Sequence, residues 1–434
     1  MDFYAIASIV IFAGVYIFIA LEKIPKMYIA ISGVILLVFF RVYTPEDVLQ
    51  YIDWDTIGFL FGTFITVKIL EISGFFNYLS LKIAKKVNYD PLKILIVFPV
   101  LSWFLSSFVS SITLLVFMAP LTYGLSKVLK FDPVPFLIAE ACLANIGGAG
   151  TLMGDPPNVI LGSKFGLGFT DFFIHNYILS LISGAGAILI FYHMNKGNIL
   201  KAKSRINKEE LACLVPEDAI EDRYLIKLGI ISLSFTVVLL ILRDFIKKFV
   251  PLSIGLCGVI PPFAVLSFRG SYPKLKNILK EIDIETIIFF ISLFAVVGAL
   301  EKTLVIKKMA YKIGKFSSNG IEISSLLLWL GAFSSAFIDN VPEAMSIGYL
   351  IKHLLPHLSY SFTILVWASS LGLDIGGNFT PIGASANVVA YCFLENQGIK
   401  IGWGRWFKLS FLPTIVALLI CWIGILLKFI TGFY

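Results

Sequence analysis

Charge is scarce in this chain. Asp, Glu, Lys and Arg make up only 15% of its 434 residues, while 58% are hydrophobic and the mean hydropathy is +0.89. That little charge cannot cover the surface of a water-soluble protein of this size, which excludes that class. Short alternating segments of the kind that build an outer-membrane barrel are also missing, which leaves membrane-spanning helices. The five cysteines (Cys142, Cys213, Cys257, Cys392, Cys421) form no Cys-x-x-Cys and read as small buried hydrophobes, not as metal ligands or disulfides. The four histidines (His175, His193, His353, His357) fall at the ends of apolar runs and show no metal-ligand spacing. No Gly-x-x-x-x-Gly-Lys-Ser/Thr is present, so an ATP-driven pump would need a separate ATPase subunit. The opening Met1-Asp2-Phe3-Tyr4 has no basic region of the signal-peptide kind, so the first span is expected to be retained.

What is abundant is apolar sequence long enough to cross a bilayer. Runs occur near 3–21, 27–43, 56–72, 172–194, 225–242, 249–268 and 405–430, with longer interrupted ones at 92–126, 135–165, 321–352 and 361–395. Each uninterrupted run approaches or exceeds the roughly 17–25 residues a spanning helix needs. The net charge of +7 sits in short loops beside these runs, where the positive-inside rule accounts for it without any nucleic acid. Placing the N-terminus outside leaves more Lys and Arg on cytoplasmic loops. The stretch 82–93 agrees with that orientation and 302–315 runs against it.

Two glycine-rich segments interrupt the apolar runs and match each other. Asn145-Ile-Gly-Gly-Ala-Gly-Thr-Leu-Met-Gly-Asp-Pro-Pro-Asn158 aligns with Asp374-Ile-Gly-Gly-Asn-Phe-Thr-Pro-Ile-Gly-Ala-Ser-Ala-Asn387. The pairs Gly148/Gly377, Thr151/Thr380, Gly154/Gly383 and Asn158/Asn387 share one constant offset. Ile52-Asp-Trp-Asp-Thr-Ile57 likewise resembles Ile282-Asp-Ile-Glu-Thr-Ile287, and Ser106-Ser-Phe-Val-Ser-Ser111 resembles Ser335-Ala-Phe-Ile-Asp-Asn340. The expected architecture is all-α and polytopic, with two five-span repeats at 1–194 and 224–434 and a charged cytoplasmic linker at 195–223. Each repeat holds a re-entrant helical hairpin (about 92–126 and 321–352) and a broken span (about 135–165 and 361–395). An odd number of crossings inverts the second repeat relative to the first. Corresponding interruptions in two halves point to a transporter's binding site.

Polar backbone and acids at membrane depth are costly unless they line a cavity or hold a ligand. At the hairpin tips stand Ser110, Ser111 and Thr113 in the first half and Asp339 and Asn340 in the second, with Glu343 just beyond. Their oxygens are the hard ligands a Na+-sized cation takes; the plainer reading is a capped turn. In the broken spans, Gly154 and Gly383 let the backbone approach a ligand, while Thr151, Asn158, Thr380, Ser385 and Asn387 offer neutral hydrogen bonds, and Asn378 is grouped with Asp155, Asp339, Asp374 and Glu343 for cation or proton coupling. A kink packed on its neighbours is the alternative. Pro156 and Pro157 suit the first turn of a half-helix whose N-terminus favours an anion. Asp155 reads as a cation ligand, a proton carrier or an N-cap, and Asp374 as a cap or hydrogen-bond partner. Glu140 is a further buried acid. Lys68 and Glu71, spaced i, i+3, are set to pair with each other. Together these residues predict a site for a small ion, with Na+ near Ser110, Gly154, Asp339 and Gly383.

On these motifs the chain resembles the ion-transporter superfamily of arsenite permeases, citrate and other carboxylate transporters, certain Na+/H+ antiporters and the melanosomal P protein. The resemblance covers nearly the whole chain. It implies substrate and Na+ or H+ held between hairpin tips and broken spans, no cofactor, and an elevator-like core moving on a scaffold, usually dimeric. Where several relatives carry Asp-Asn at the first tip, this chain has Ser110-Ser111, one carboxylate fewer. The leading expectation is a secondary transporter of a small oxyanion or carboxylate coupled to Na+ or H+. A Na+/H+ antiporter is the alternative, with Asp155 and Asp339 sharing the cation. An intramembrane aspartyl protease needs Gly-x-Gly-Asp, and Leu152-Met-Gly-Asp155 does not supply the first glycine. A passive channel fits broken-helix repeats poorly.

Overall fold

The computed structural model describes residues 2–21, 23–203, 215–246, 249, 251–267, 278–317, 319–357 and 360–434. The middle of the charged linker, 204–214 with Cys213, lies outside the described residues. Every regular element described is helical. The first half comprises α1 (Phe3–Ala20), α2 (Lys26–Phe39), α3 (Pro45–Gln50), α4 (Trp54–Ile72), α5 (Phe75–Lys86), α6 (Pro91–Ser106), α7 (Ser111–Leu129), α8 (Val134–Gly148) and α9 (Pro156–Phe165). It closes with α10 (Phe169–Phe172), which runs through a π-helical turn at Phe173–Tyr177 into α11 (Ile178–Lys203). The second half comprises α12 (Arg223–Ile246), α13 (Ile254–Leu266), α14 (Ile284–Lys302), α15 (Val305–Phe316) and α16 (Gly320–Ser335). It continues with α17 (Asn340–Leu354), α18 (Thr363–Gly376), α19 (Ser385–Asn396) and α20 (Gly402–Thr431).

Three pairs of helices at matching positions agree in length. α4 and α14 are each 19 residues long, α5 and α15 each 12, and α6 and α16 each 16. The cause is local chemistry at matching positions. The Asp53 carboxylate caps α4 by accepting from Thr56 N at 3.1 Å, and Asp283 caps α14 by accepting from Thr286 N at 3.0 Å. Four residues, 107–110 and 336–339, separate α6 from α7 and α16 from α17.

The α4/α5 corner bends by 57° at Gly74, which sits at φ +77°. The matching corner in the second half places Leu304 at φ +60°, a region that costs a non-glycine residue about 1–2 kcal/mol. Leu304 is half exposed and loses little packing on truncation. Leu304→Gly is therefore expected to stabilise the protein by up to about 1 kcal/mol after glycine's extra chain entropy is counted. Thermal unfolding of the purified variant checks this, and a lower melting temperature would contradict it.

The halves interlock. α2 packs on α14 and α13 packs on α4, so the second helix of each half lies on the third long helix of the other. At the second of these crossings a side chain on Gly62 would run into the Gly258 backbone. The later helices are also exchanged: α7 packs on α19, α17 packs on α9, and α11 packs on α20. Two layers result, one of α1, α2, α4 and α12–α14, the other of α6–α11 and α16–α20. Among the described residues, five helices (α7, α10–α11, α12, α14, α20) are individually long and apolar enough to cross a membrane. The α4/α5 pair qualifies together, and six shorter apolar helices accompany them. α11 stays helical to Lys203, so it runs into the charged stretch 195–223. The expected pairing of Lys68 with Glu71 is met: Lys68 Nζ bonds Glu71 at 2.7 Å, and it also reaches Glu281 at 3.2 Å.

Candidate functional site

Both glycine-rich breaks are braced by one set of bonds used twice. The Thr151 hydroxyl donates to the Ser107 carbonyl, and the Thr380 hydroxyl donates to the Ala336 carbonyl. Asn158 Nδ2 donates to the carbonyls of Gly148 (3.0 Å) and Thr151 (2.8 Å). Asn387 Nδ2 donates to Gly377 and Thr380, both at 2.9 Å. Each break is thereby closed on itself and tied to its neighbouring tip. Backbones approach so closely that a Cβ on Gly154 would stand 2.7 Å from Gly148 Cα, and one on Gly383 would stand 2.7 Å from the Ser335 carbonyl oxygen. Only glycine fits at either place.

The two tips converge on one carboxylate. Ser111 Oγ donates to Asp155 Oδ1 at 3.0 Å, and Asn340 Nδ2 donates to Asp155 Oδ2 at 2.8 Å. Ser111 and Asn340 are equivalent positions of the repeat, so the halves meet symmetrically at an asymmetric acid. The same Asn340 nitrogen lies 3.3 Å from Asp374 Oδ1, while Asp374 Oδ2 is buried without a hydrogen bond. Asp155 occupies the N-cap position of α9, and its side chain makes no cap bond. Asp374 lies inside α18 and serves as a hydrogen-bond partner. Asp339 does cap α17, accepting from Val341 N at 3.3 Å, and its other oxygen accepts from Ser385 Oγ at 3.1 Å and Lys26 Nζ at 3.3 Å.

A second polar network stitches α8 to the other half. Asn145 Nδ2 donates to Asn378 Oδ1 (2.7 Å) and Asn387 Oδ1 (3.0 Å), and Asn378 Nδ2 donates to the Cys142 carbonyl at 3.2 Å. Ser370 Oγ donates to Asn158 Oδ1 at 2.5 Å.

Residues 16–372 match the CitMHS family model, described as a citrate transporter. The chain belongs to this citrate-transporter family. It is 31% identical over 436 residues to an uncharacterized transporter of Mycobacterium tuberculosis, covering 98% of this chain and 99% of that one. The mouse P protein is 26% identical over 96% of this chain and 59% of its own. In fold the chain is similar to the YdaH transporter of Alcanivorax borkumensis, with TM-score 0.58 and 12% identity over 88% of this chain and 86% of that one. It is a multi-pass membrane transporter and not an enzyme.

Within this family member, the expected site residues are spread over several places. Ser111, Asp155, Asn340 and Asp374 form the central cluster. Thr151, Asn158, Asn378, Thr380 and Asn387 direct their polar groups into the breaks and the seam between halves. Ser110 and Thr113 line a cavity of about 200 Å³ with Lys68, Glu71, Glu281 and Asp283. The four positions expected for Na+ are divided. Ser110 and Gly154 border one small cavity with Asp155, and Asp339 borders another with Tyr16 and Lys26. Glu343 bonds Ser334 and Glu140 accepts from Thr122 at 2.7 Å, neither joining the cluster. Three of the histidines are engaged: His175 lies in the π turn, stacked on Trp367, His193 Nδ1 lies 2.7 Å from the Leu189 carbonyl, and His353 bonds Glu301 at 2.9 Å. Sequence reasoning missed Lys26, Asn145 and Ser370 as site residues. Asn145 carried a signal, its alignment with Asp374; Lys26 looked like an ordinary flanking charge.

Proposed function

We propose that the chain is a secondary active transporter moving a small carboxylate, of the citrate kind, across the cell membrane in obligatory coupling to Na+ or H+. The observation that carries this reading is the meeting of both tips at Asp155, beside two further buried acids and two half-helix N-termini, those of α9 and α19. A half-helix N-terminus favours an anion by roughly half a positive charge. Three acids around Asn340, with Lys26 paired to one of them, oppose it. A carboxylate therefore binds only when a cation or protons offset those acids, and coupling follows from the charge balance. Inverted five-span halves, a dimeric scaffold and an N-terminus outside belong to the same proposal; the crosswise packing of equivalent helices supports the first of these alone.

The test is made in liposomes holding a pH-sensitive dye and loaded with the purified protein. Labelled citrate uptake should require an inward Na+ or H+ gradient and collapse when that gradient is dissipated. The acid-rich cluster also favours a second reading, a Na+/H+ antiporter. Proton movement on adding Na+ alone, with no anion present, would select it and sink the carboxylate reading.

A further inference from the structure

The two tips, alike in backbone, differ in what faces them. Ser110 at the first tip looks into the cavity of about 200 Å³ between α4, α7 and the start of α14. At the second tip the equivalent residue is Asp339, and the space beside it shrinks to about 20 Å³ under Tyr16, Ile19 and Lys26. Lys26 opens α2, which belongs to the layer of α1 and α14, whereas Asp339 belongs to the layer of α16–α19. Its ammonium reaches across that boundary to Asp339 Oδ2, the oxygen that also accepts from Ser385. Among the described residues the first tip has no counterpart: α13, the equivalent of α2, opens with Ile254, and Ser110 replaces the acid.

We infer that Lys26 is a tethered cation seated in the monovalent-cation site formed by Asp339 and Ser385, and that a free cation must displace it to release the second tip from α2. An ammonium on a lysine stem offers the same charge as Na+ and takes the same carboxylate oxygen. While it is seated, the cation-competent fraction of the protein is small, and the apparent affinity falls by that fraction. Displacement frees α2 from the tip in the same step, so cation binding removes one tie between the two layers. The inference rests on the coupled-transport reading and names the coupling ion's seat within it.

Full-length protein in detergent is titrated with NaCl, LiCl or KCl, ionic strength being held constant with choline chloride, and the melting temperature is read. Lys26→Met keeps the stem and removes the competitor. Its half-maximal response to one of these cations should come at a concentration about tenfold lower than in the wild type. Lys26→Arg should retain the wild-type response, and Asp339→Asn should lose it. A Lys26→Met response equal to the wild type's, or none to any of the three salts, overturns the inference. Should Lys26→Met not fold, Ser385→Ala is titrated instead. It leaves the ion pair and removes one oxygen, so its half-response must move to higher concentration, and an unchanged value overturns the inference equally. Citrate uptake by wild-type liposomes is run in parallel: its absence counts against the transport reading, whereas the cation titration can fail alone.

Discussion

Asp155→Asn is expected to yield a folded protein whose coupled citrate uptake falls by at least one to two orders of magnitude. Asp155 accepts from both tips at once, from Ser111 at 3.0 Å and from Asn340 at 2.8 Å. Hydrogen bonds to a charged group contribute about 1.5–3 kcal/mol each, and each 1.36 kcal/mol is a factor of ten in rate. Asparagine keeps the size and one acceptor oxygen, but turns an amide N–H toward a donor on one side. The folded state survives because the braces of the two breaks, through Thr151, Asn158, Thr380 and Asn387, do not pass through Asp155. What is lost is the carboxylate on which the tips converge, and with it, on the proposed coupled-transport reading, the charge that a coupling ion offsets. Glu140→Gln is the control. Glu140 is as deeply buried but bonds Thr122 within its own half, and its uptake should stay near the wild type's. Wild-type uptake by Asp155→Asn would remove this residue from the mechanism.

Much of this arrangement is legible in the amino-acid order, and the boundary of legibility has a physical cause. Local chemistry shows: Pro156 and Pro157 mark the start of α9, Asp53 and Asp283 cap equivalent helices, and the offset between halves recurs in bond after bond. Non-local chemistry does not show. Ser111 and Asn340 are visible as polar tips, yet only folding brings them onto Asp155, 44 and 185 residues away. Thr151, Asn158, Thr380 and Asn387 have the composition of ligands, and sequence cannot reveal that their donors are consumed by neighbouring carbonyls. Lys26 is the extreme case, a flanking lysine by every local criterion, placed 313 residues from its partner.

The seam between the halves yields the largest expected loss of stability. Asn145→Ala removes the donor to Asn378 Oδ1 and Asn387 Oδ1, bonds of 2.7 and 3.0 Å in a fully buried site. Each buried acceptor left without a partner costs about 1–3 kcal/mol, so the loss should total roughly 2–6 kcal/mol. The variant is expected to melt far below the wild type or to fail to reach the membrane, read by thermal unfolding and by size exclusion of the detergent extract. Asn145→Asp is the sharper test, because it writes into the first half the acid that Asp374 provides in the second. On the repeat alone, it restores symmetry and should be tolerated. On the bonds, it sets a carboxylate against two carbonyl oxygens, and donors against neither, so it should be at least as damaging as alanine. Asp374 escapes this conflict because Asn340 donates to it, at 3.3 Å. The acid and the amide have thus exchanged roles between the halves. The exchange leaves the two halves unequal, one supplying the amide of the seam and the other an acid that shares Asn340 with Asp155.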